Sequence, residues 1–300
     1  MIQVNGDTFL VTGAVGFIGS HIVDELLEQG KSVYPFDDFS NSYVSYEDYS
    51  RPINREQIQY VPISGKMNFD VVFHEACSKC TVCTKDPFND LIVNAYGTLK
   101  TAKLALFNKA KMVHASTGSI NNFMPVSYYG VSKMAGEAYL RAVQSYDPAF
   151  RWVALRYHHV YGPRQNAGPN GGVVAIFIVK MLQREPITIF GDGEQTRYFT
   201  YVKDVVAANF HAANSTAMEG DYYNVAAGVK VTLNQLVKSL ETIIGKKAKV
   251  KYLPPKPGDI KHFDVSNKKL SQYGYADWTR LDRGLIETVE WYKEHLSDYP

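Results

Sequence analysis

Residues 8–28 run strand, glycine turn, helix, and that order limits the chain to a small set of folds. Thr8-Phe9-Leu10-Val11-Thr12 is a short apolar strand. Ile18, Ile22 and Leu26, with Val23 and Leu27, then recur at helical spacing until Gly30 ends the run. Gly13, Gly16 and Gly19 stand between strand and helix. There the first glycine permits a tight turn, the second lets backbone approach a pyrophosphate, and the third lets helix and strand pack closely. The first helical turn, at Phe17 and Ile18, presents N–H groups to an anion. Glycines so spaced also occur in plain tight turns. Asp37, 18 residues beyond Gly19 at the end of the next strand, narrows the choice, because a carboxylate there accepts both ribose hydroxyls of NAD. Asp38 follows where a ribose 2′-phosphate needs a cation, so NAD is favoured over NADP.

The same alternation continues. Strands are expected at 32–36, 58–62, 70–74, 111–115 and 151–156, and helices at 88–108 and 127–146. Strands alternating with helices predict an α/β fold, a Rossmann-type doubly wound parallel sheet covered on both faces. After Tyr161-Gly162-Pro163 glycine and proline become more frequent and segments shorten, with helices expected at 174–184, 202–213, 233–244 and 281–294. The expectation is an NAD-binding domain at 1–162 and a smaller α/β substrate lobe at 163–300, interleaved with the first. A chain of 300 residues that is 45% hydrophobic and 21% charged can bury a sizeable core, which excludes a disordered chain. Its 32 Lys+Arg against 30 Asp+Glu give +2, so no bulk field points to nucleic acid or a membrane surface. No apolar run spans a bilayer, and the N-terminus enters a strand where a secretory leader would be hydrophobic. Three cysteines, all within 77–83, cannot staple the domain and suit a reducing cytoplasm.

Tyr129-Gly130-Val131-Ser132-Lys133 puts a phenol and an ammonium four residues apart, one above the other on a helix face. An ammonium beside a phenol favours phenolate, making Tyr129 a candidate acid–base group for a sugar hydroxyl while NAD takes a hydride. Alone, the spacing also describes a solvated helix face. Ser116 and Thr117 end the 111–115 strand and either face the crevice where such sheets bind ligands or cap the next helix.

Further motifs extend the pattern to nearly the whole chain: Asp86-Pro87…Asn94-Ala95-Tyr96-Gly97-Thr98, Leu155-Arg156-Tyr157…Val160-Tyr161-Gly162-Pro163-Arg164-Gln165 and Gly191-Asp192-Gly193-Glu194-Gln195-Thr196-Arg197. Pro257-Gly258-Asp259 and Glu287-Thr288-Val289-Glu290-Trp291-Tyr292 complete it. Together these residues resemble the NAD-dependent epimerase/dehydratase family, the extended short-chain dehydrogenases. The resemblance implies epimerisation at C4 of a nucleotide-activated hexose, of the UDP-glucose/UDP-galactose type, through a 4-keto intermediate. In that case Thr117 hydrogen-bonds the 4-hydroxyl, Tyr129 exchanges its proton, and Lys133 binds nicotinamide ribose and tunes Tyr129. The resemblance puts Gly13, Gly16, Phe17, Ile18, Gly19 and Asp37 to Asn41 (Asp38, Phe39 and Ser40 between them) along the NAD site. Glu75, Ala76, Lys79, Asn94, Ser116 and His158 join them. His159 and Val173 fall to the sugar nucleotide, Thr188 and Phe190 bracket its base, and Arg197 meets the diphosphate as a planar fork. Lys256 stands where the family usually has a second arginine, and Asp259 takes the UDP ribose hydroxyls. Without the resemblance, Arg197 and Asp259 read as a surface pair on loops. Family habit adds a homodimer pairing helices 88–108 and 127–146 as a four-helix bundle.

Four features depart from the family pattern. His158-His159 replaces an aromatic-Asn pair, leaving either a satisfied buried imidazole or a protonatable contact to the diphosphate. Ile63-Ser64 stands where an aspartate normally meets adenine. Only eleven residues separate Thr117 from Tyr129, so a loop that walls the sugar pocket is short and the site should tolerate plain and 2-acetamido UDP-hexoses. His74-x-x-Cys77-x-x-Cys80-x-x-Cys83 resembles part of a zinc or iron–sulfur motif, but no fourth cysteine exists, so no metal is expected. Two rival readings stay in view. Family dehydratases and decarboxylases use an acid or amide just after the threonine, where Gly118-Ser119 offers none. A regulator that only binds NAD has no need of Thr117, Tyr129 and Lys133 together.

Overall fold

The computed structural model describes residues 2–40, 67–79, 85–120, 125–169, 171–255, 261 and 264–299. The strand expected at 58–62 lies outside them. In chain order the elements are β1 (Thr8–Thr12), α1 (Phe17–Glu28), β2 (Ser32–Phe36), β3 (Val71–His74), α2 (Pro87–Asp90), a π-helical segment (Leu91–Tyr96), α3 (Gly97–Phe107) and β4 (Lys111–Thr117). Then come α4 (Tyr128–Tyr146), β5 (Trp152–Tyr157), β6 (Val160–Tyr161), α5 (Val173–Leu182), β7 (Ile187–Phe190), β8 (Thr196–Arg197) and β9 (Thr200–Tyr201). The chain closes with α6 (Val202–Asn214), β10 (Asp221–Val225), β11 (Val231–Thr232), α7 (Leu233–Ile244), β12 (Val250–Leu253), α8 (Lys268–Gln272) and α9 (Leu281–Glu294).

Six strands form the central sheet in the order β2-β1-β3-β4-β5-β10. β1 runs parallel to β2 and β3, as β4 does to β3 and β5. Alternate residues on each strand serve opposite faces. Leu10, Val72, Met112, Trp152 and Ala154 pack under Ala102 and Leu104 of α3 and Leu140 and Val143 of α4. Their neighbours Phe9 and Phe73 stack at 6.0 Å on the other face, where Phe210 of α6 meets Phe73 at 5.6 Å. Both faces are therefore covered, and β3 and β4 are buried along their whole length. The chain leaves β1 for β2 on one side and returns to β3 on the other. Such a reversal opens a crevice outside the carboxyl ends of the strands.

Two details differ from expectation. β4 continues through Ser116 and Thr117, so they do not cap the following helix; Ser127 does, its hydroxyl accepting from Gly130 N at 3.1 Å. The helix expected at 88–108 contains the π-helical turns, which apolar spacing does not announce.

Contacts divide the chain into two compact units. The first is Met1–Tyr157 with Val206–Asn224 and Gln272–Tyr275, and it is built on the central sheet. The second is His158–Val205, Val225–Ser271 and Ala276–Pro300, with the strand pairs β6/β9, β7/β12 and β8/β11 among its helices. There α7 starts in a capping box, Thr232 and Gln235 each bonding the other's backbone, and stops at Gly245 with φ +75°. Among the described residues no helix is long and apolar enough to cross a membrane.

Candidate active site

Backbone hydrogen bonds shape the glycine turn. Gly13, at φ +70°, donates to the Phe36 carbonyl at 2.8 Å, and Gly16 donates to Gly13 O at 3.0 Å. A Cβ on Gly19 would lie 2.1 Å from Gly13 O, so only glycine lets α1 come this close to β1. Gly16 caps α1 with no side-chain hydrogen bond, which leaves the helix N-terminus to a ligand. Asp37 Oδ2 accepts from Val15 N at 2.9 Å and Oδ1 from Phe39 N at 2.8 Å, so each oxygen keeps a lone pair for a hydroxyl. Burial raises its pKa above the ordinary value, against those two bonds. Asp38 turns away to Ser40, accepting from its N and Oγ at 2.9 and 2.6 Å. These residues fit a dinucleotide: an open helix end, a cradle that a Cβ would fill, and an anchored carboxylate beside it.

Next along the sheet, the ends of β3 and β4 carry the polar groups. His74 Nδ1 lies 2.7 Å from Thr12 Oγ1 and its Nε2 lies 3.1 Å from Thr98 Oγ1. Its ring stacks on His114 at 5.4 Å. Neither ring nitrogen of His114 has a hydrogen-bond partner among the described residues. Burial and the Lys133 charge hold His74 at about 3 and His114 well below its ordinary value, so both imidazoles are neutral. Glu75 leaves β3, its Oε1 accepting from Tyr157 Oη at 2.8 Å. Lys79 is partly buried, and burial lowers its pKa.

Thr117, buried at the tip of β4, accepts from Ser119 N at 3.1 Å. Tyr129 lies in the first turn of α4 behind its Ser127 cap. One turn on, Lys133 is only 1% exposed and its Nζ donates to Ala115 O at 2.9 Å. A solvated helix face is therefore not the explanation of the Tyr129–Lys133 spacing. Ser116 points to the opposite face of the sheet from Thr117, where its hydroxyl donates to Glu137 Oε1 at 2.5 Å. Asn94, from the π-helical segment, is fully buried. Its Oδ1 accepts from Ser78 N at 2.9 Å and its amide nitrogen lies 3.2 Å from Ser132 Oγ, so it braces the segment after β3 against α4. Sequence reasoning gave no role to Glu137, Tyr157 and Asn209, whose partners are remote in sequence, or to His114.

The second unit carries the residues expected at a sugar nucleotide. His159 is half-buried at φ +42°, edge-on to Phe199. Burial, with Arg197 and His158 adding repulsion, pulls its pKa down to about 3, so without a bound anion the imidazole is neutral. Arg197 stands on β8, half-buried, with Nη1 donating to Thr196 O at 2.9 Å; it is not a loose surface arginine. Thr188 and Phe190 lie on one face of β7, against Lys251 and Leu253 of β12. Val173 opens α5. Asn41, Ile63, Ser64, Cys80, Cys83, Lys256 and Asp259 lie outside the described residues.

The model of the NAD-dependent epimerase/dehydratase family matches residues 9–226. The UDP-glucose 4-epimerase of Mycolicibacterium smegmatis is 32% identical over 311 residues, spanning 95% of this chain and 98% of that protein. Among solved structures, the UDP-N-acetylglucosamine 4-epimerase of Methanobrevibacter ruminantium, in complex with UDP-N-acetylmuramic acid, superposes with a TM-score of 0.87 at 31% identity over 96% of this chain and 99% of that one. The UDP-glucose 4-epimerase of Thermus thermophilus, in complex with NAD, gives 0.80 at 31% identity over 95% and 99%.

Proposed function

The chain belongs to the NAD-dependent epimerase/dehydratase family, and on that premise we propose that it inverts C4 of a UDP-hexose of the UDP-glucose/UDP-galactose type. The observation that carries the reading is the buried Lys133 of α4, one helical turn from Tyr129, whose Nζ is pinned at 2.9 Å to the carbonyl of Ala115 on the strand that ends in Thr117. NAD, bound at the glycine turn and Asp37, supplies a hydride acceptor that gives the hydride back. Thr117 orients the 4-hydroxyl, and Tyr129 Oη takes its proton as hydride leaves C4. Lys133 lowers the cost of the phenolate that accepts it. The 4-keto sugar rotates, and Tyr129 returns the proton after hydride reaches the other face, so no cofactor is consumed. In the second unit Arg197 neutralises the diphosphate, with Lys256 as a weaker single-point partner and Asp259 on the ribose. His159, also of the second unit, contacts the sugar nucleotide by hydrogen bonding.

The same reading makes the protein a cytoplasmic homodimer. Phe88, Leu91, Ile92 and Tyr96 on the α2-to-α3 helix, with Tyr128 and Val131 on α4, are exposed apolar side chains on the elements such a dimer pairs. The test is incubation of purified protein with NAD and a panel of UDP-, dTDP-, GDP- and ADP-sugars, resolving C4 epimers by chromatography. Turnover of a UDP-hexose is expected. With the short segment between Thr117 and Tyr129, UDP-glucose and its 2-acetamido analogue should differ in kcat/KM by no more than roughly a hundredfold. NAD binding with no turnover on any sugar nucleotide sinks the reading in favour of a regulator.

A further inference from the structure

The polar chain Asn209–Tyr157–Glu75 has no part in the reaction above. Asn209 Nδ2 of α6 donates to Tyr157 Oη at the end of β5, and Tyr157 Oη donates to Glu75 Oε1, each at 2.8 Å. Glu75 is 8% exposed, and an ionised carboxyl at that depth is costly unless a charge or donor meets it. Tyr157 from β5 and Lys133 from α4 face it and favour its ionised form. Cys77, from its own loop, acts on Tyr157. Burial outweighs these groups and pushes the carboxyl up to about 7. Near neutral pH, Glu75 is balanced between carboxylate and acid.

Its place in the sheet gives that balance a use. In the order β2-β1-β3-β4, Asp37 follows β2, the glycine turn follows β1, Glu75 follows β3 and Thr117 ends β4. The turn and Glu75 abut: a Cβ on Gly13 would lie 2.8 Å from the Glu75 carbonyl carbon. A dinucleotide with its adenosine ribose at Asp37 and its pyrophosphate at the α1 N-terminus therefore carries its nicotinamide half past β3 toward β4. The nicotinamide ring is cationic when oxidised and neutral when reduced. We propose that Glu75 is a proton-linked charge partner of the nicotinamide, its carboxylate favouring the oxidised cofactor and its neutral acid the reduced one. The proposal rests on reading this crevice as an NAD site and not on which sugar is turned over.

Both redox forms carry the same pyrophosphate charge, so the ratio of their dissociation constants isolates the ring. A nearby opposite charge shifts a carboxyl by about one unit or more, and one unit is a tenfold change in affinity. In nucleotide-free protein, calorimetry with NAD⁺ and NADH from about pH 5.5 to about pH 8.5 should show Kd(NADH)/Kd(NAD⁺) rising about tenfold. Glu75→Gln should flatten the ratio. Tyr157→Phe keeps the carboxyl but removes its donor, so the midpoint should move to higher pH; this variant stands in if Glu75→Gln does not fold. A flat wild-type ratio, a slope that survives Glu75→Gln, or failure to bind either form overturns the proposal, even in an active epimerase. A pH-dependent ratio in a protein that turns over no sugar nucleotide upholds it while removing the epimerase reading.

Discussion

Arg156 and Glu137 meet as a two-pronged ion pair, Nε to Oε1 at 2.8 Å and Nη2 to Oε2 at 2.7 Å. Their side chains are 6% and 1% exposed, and the Tyr222 ring lies 3.6 Å from the guanidinium. The pair ties β5 to α4, the helix that carries Tyr129 and Lys133. Removing one partner strands a buried charge, so Glu137→Leu and Arg156→Met should each cost about 3–5 kcal/mol in urea unfolding. The double variant should lose less than either single one, because neither charge is then left unpaired. Additive losses would mean that the pair is not what holds α4.

Tyr129→Phe removes one hydroxyl from the first turn of α4 and leaves the Ser127 cap in place. Epimerisation should fall roughly 10²–10⁴-fold, the usual worth of a positioned acid–base group, while NAD affinity and unfolding midpoint stay put. Turnover near the wild-type value would take Tyr129 out of the mechanism.

Asp37 is fixed by Val15 N and Phe39 N beside the glycine turn. Asp37→Ala should weaken NAD binding by at least about tenfold, a charge-assisted hydrogen bond or two, and leave UDP-sugar binding unchanged. Equal losses for both ligands in calorimetry would contradict the assignment.

Gly19→Ala adds a methyl where Gly13 O sits 2.1 Å away. The backbone must shift, costing about 1–3 kcal/mol of stability. Because the displaced carbonyl belongs to the phosphate turn, NAD binding should fall further than unfolding stability alone explains. Intact NAD affinity in a folded Gly19→Ala protein would show that the turn does not set the cofactor's position.

Acid should destabilise the protein through its desolvated histidines. His74 and His159 sit at about 3 and His114 well below its ordinary value, all through burial. The unfolded chain takes up those protons near the ordinary histidine pKa of about 6.5. Stability is thus present above that value and falls as pH drops toward about 3, by about 1.4 kcal/mol per pH unit for each histidine. Glu75 works the other way: with its carboxyl pushed up to about 7, it favours the folded state as pH falls toward its unfolded value. His114→Phe should remove one proton from the slope measured by denaturant unfolding between about pH 6 and about pH 4. An unchanged slope would show that His114 is protonated in the folded protein.

The sequence by itself determined what local forces decide. Apolar spacing and glycine placement mark β1, the turn and α1, because Gly13 and Gly19 are demanded by a tight corner that no other residue fits. The same spacing finds α7 and α9 to the residue, since one face of each must be buried. Tertiary structure alone decided what depends on partners far apart in the chain. Without the resemblance, Ser116 and Thr117 are two hydroxyls that face the crevice or cap a helix; β4 runs on through both, which turns Ser116 to Glu137 and leaves Thr117 on the other face. The Tyr129–Lys133 spacing alone also fits a solvated helix face, until α4 lays Lys133 against Ala115 and burial removes it from water. His159 reads equally as a packed imidazole or a protonatable contact, and its proton affinity is set by desolvation and the Arg197 charge, which only the fold supplies. Glu75, Tyr157 and Asn209 lie 82 and 52 residues apart along the chain, yet they form one hydrogen-bonded line. A side chain's ionisation is set by what desolvates it and which charges stand nearby, and both are properties of the packed fold.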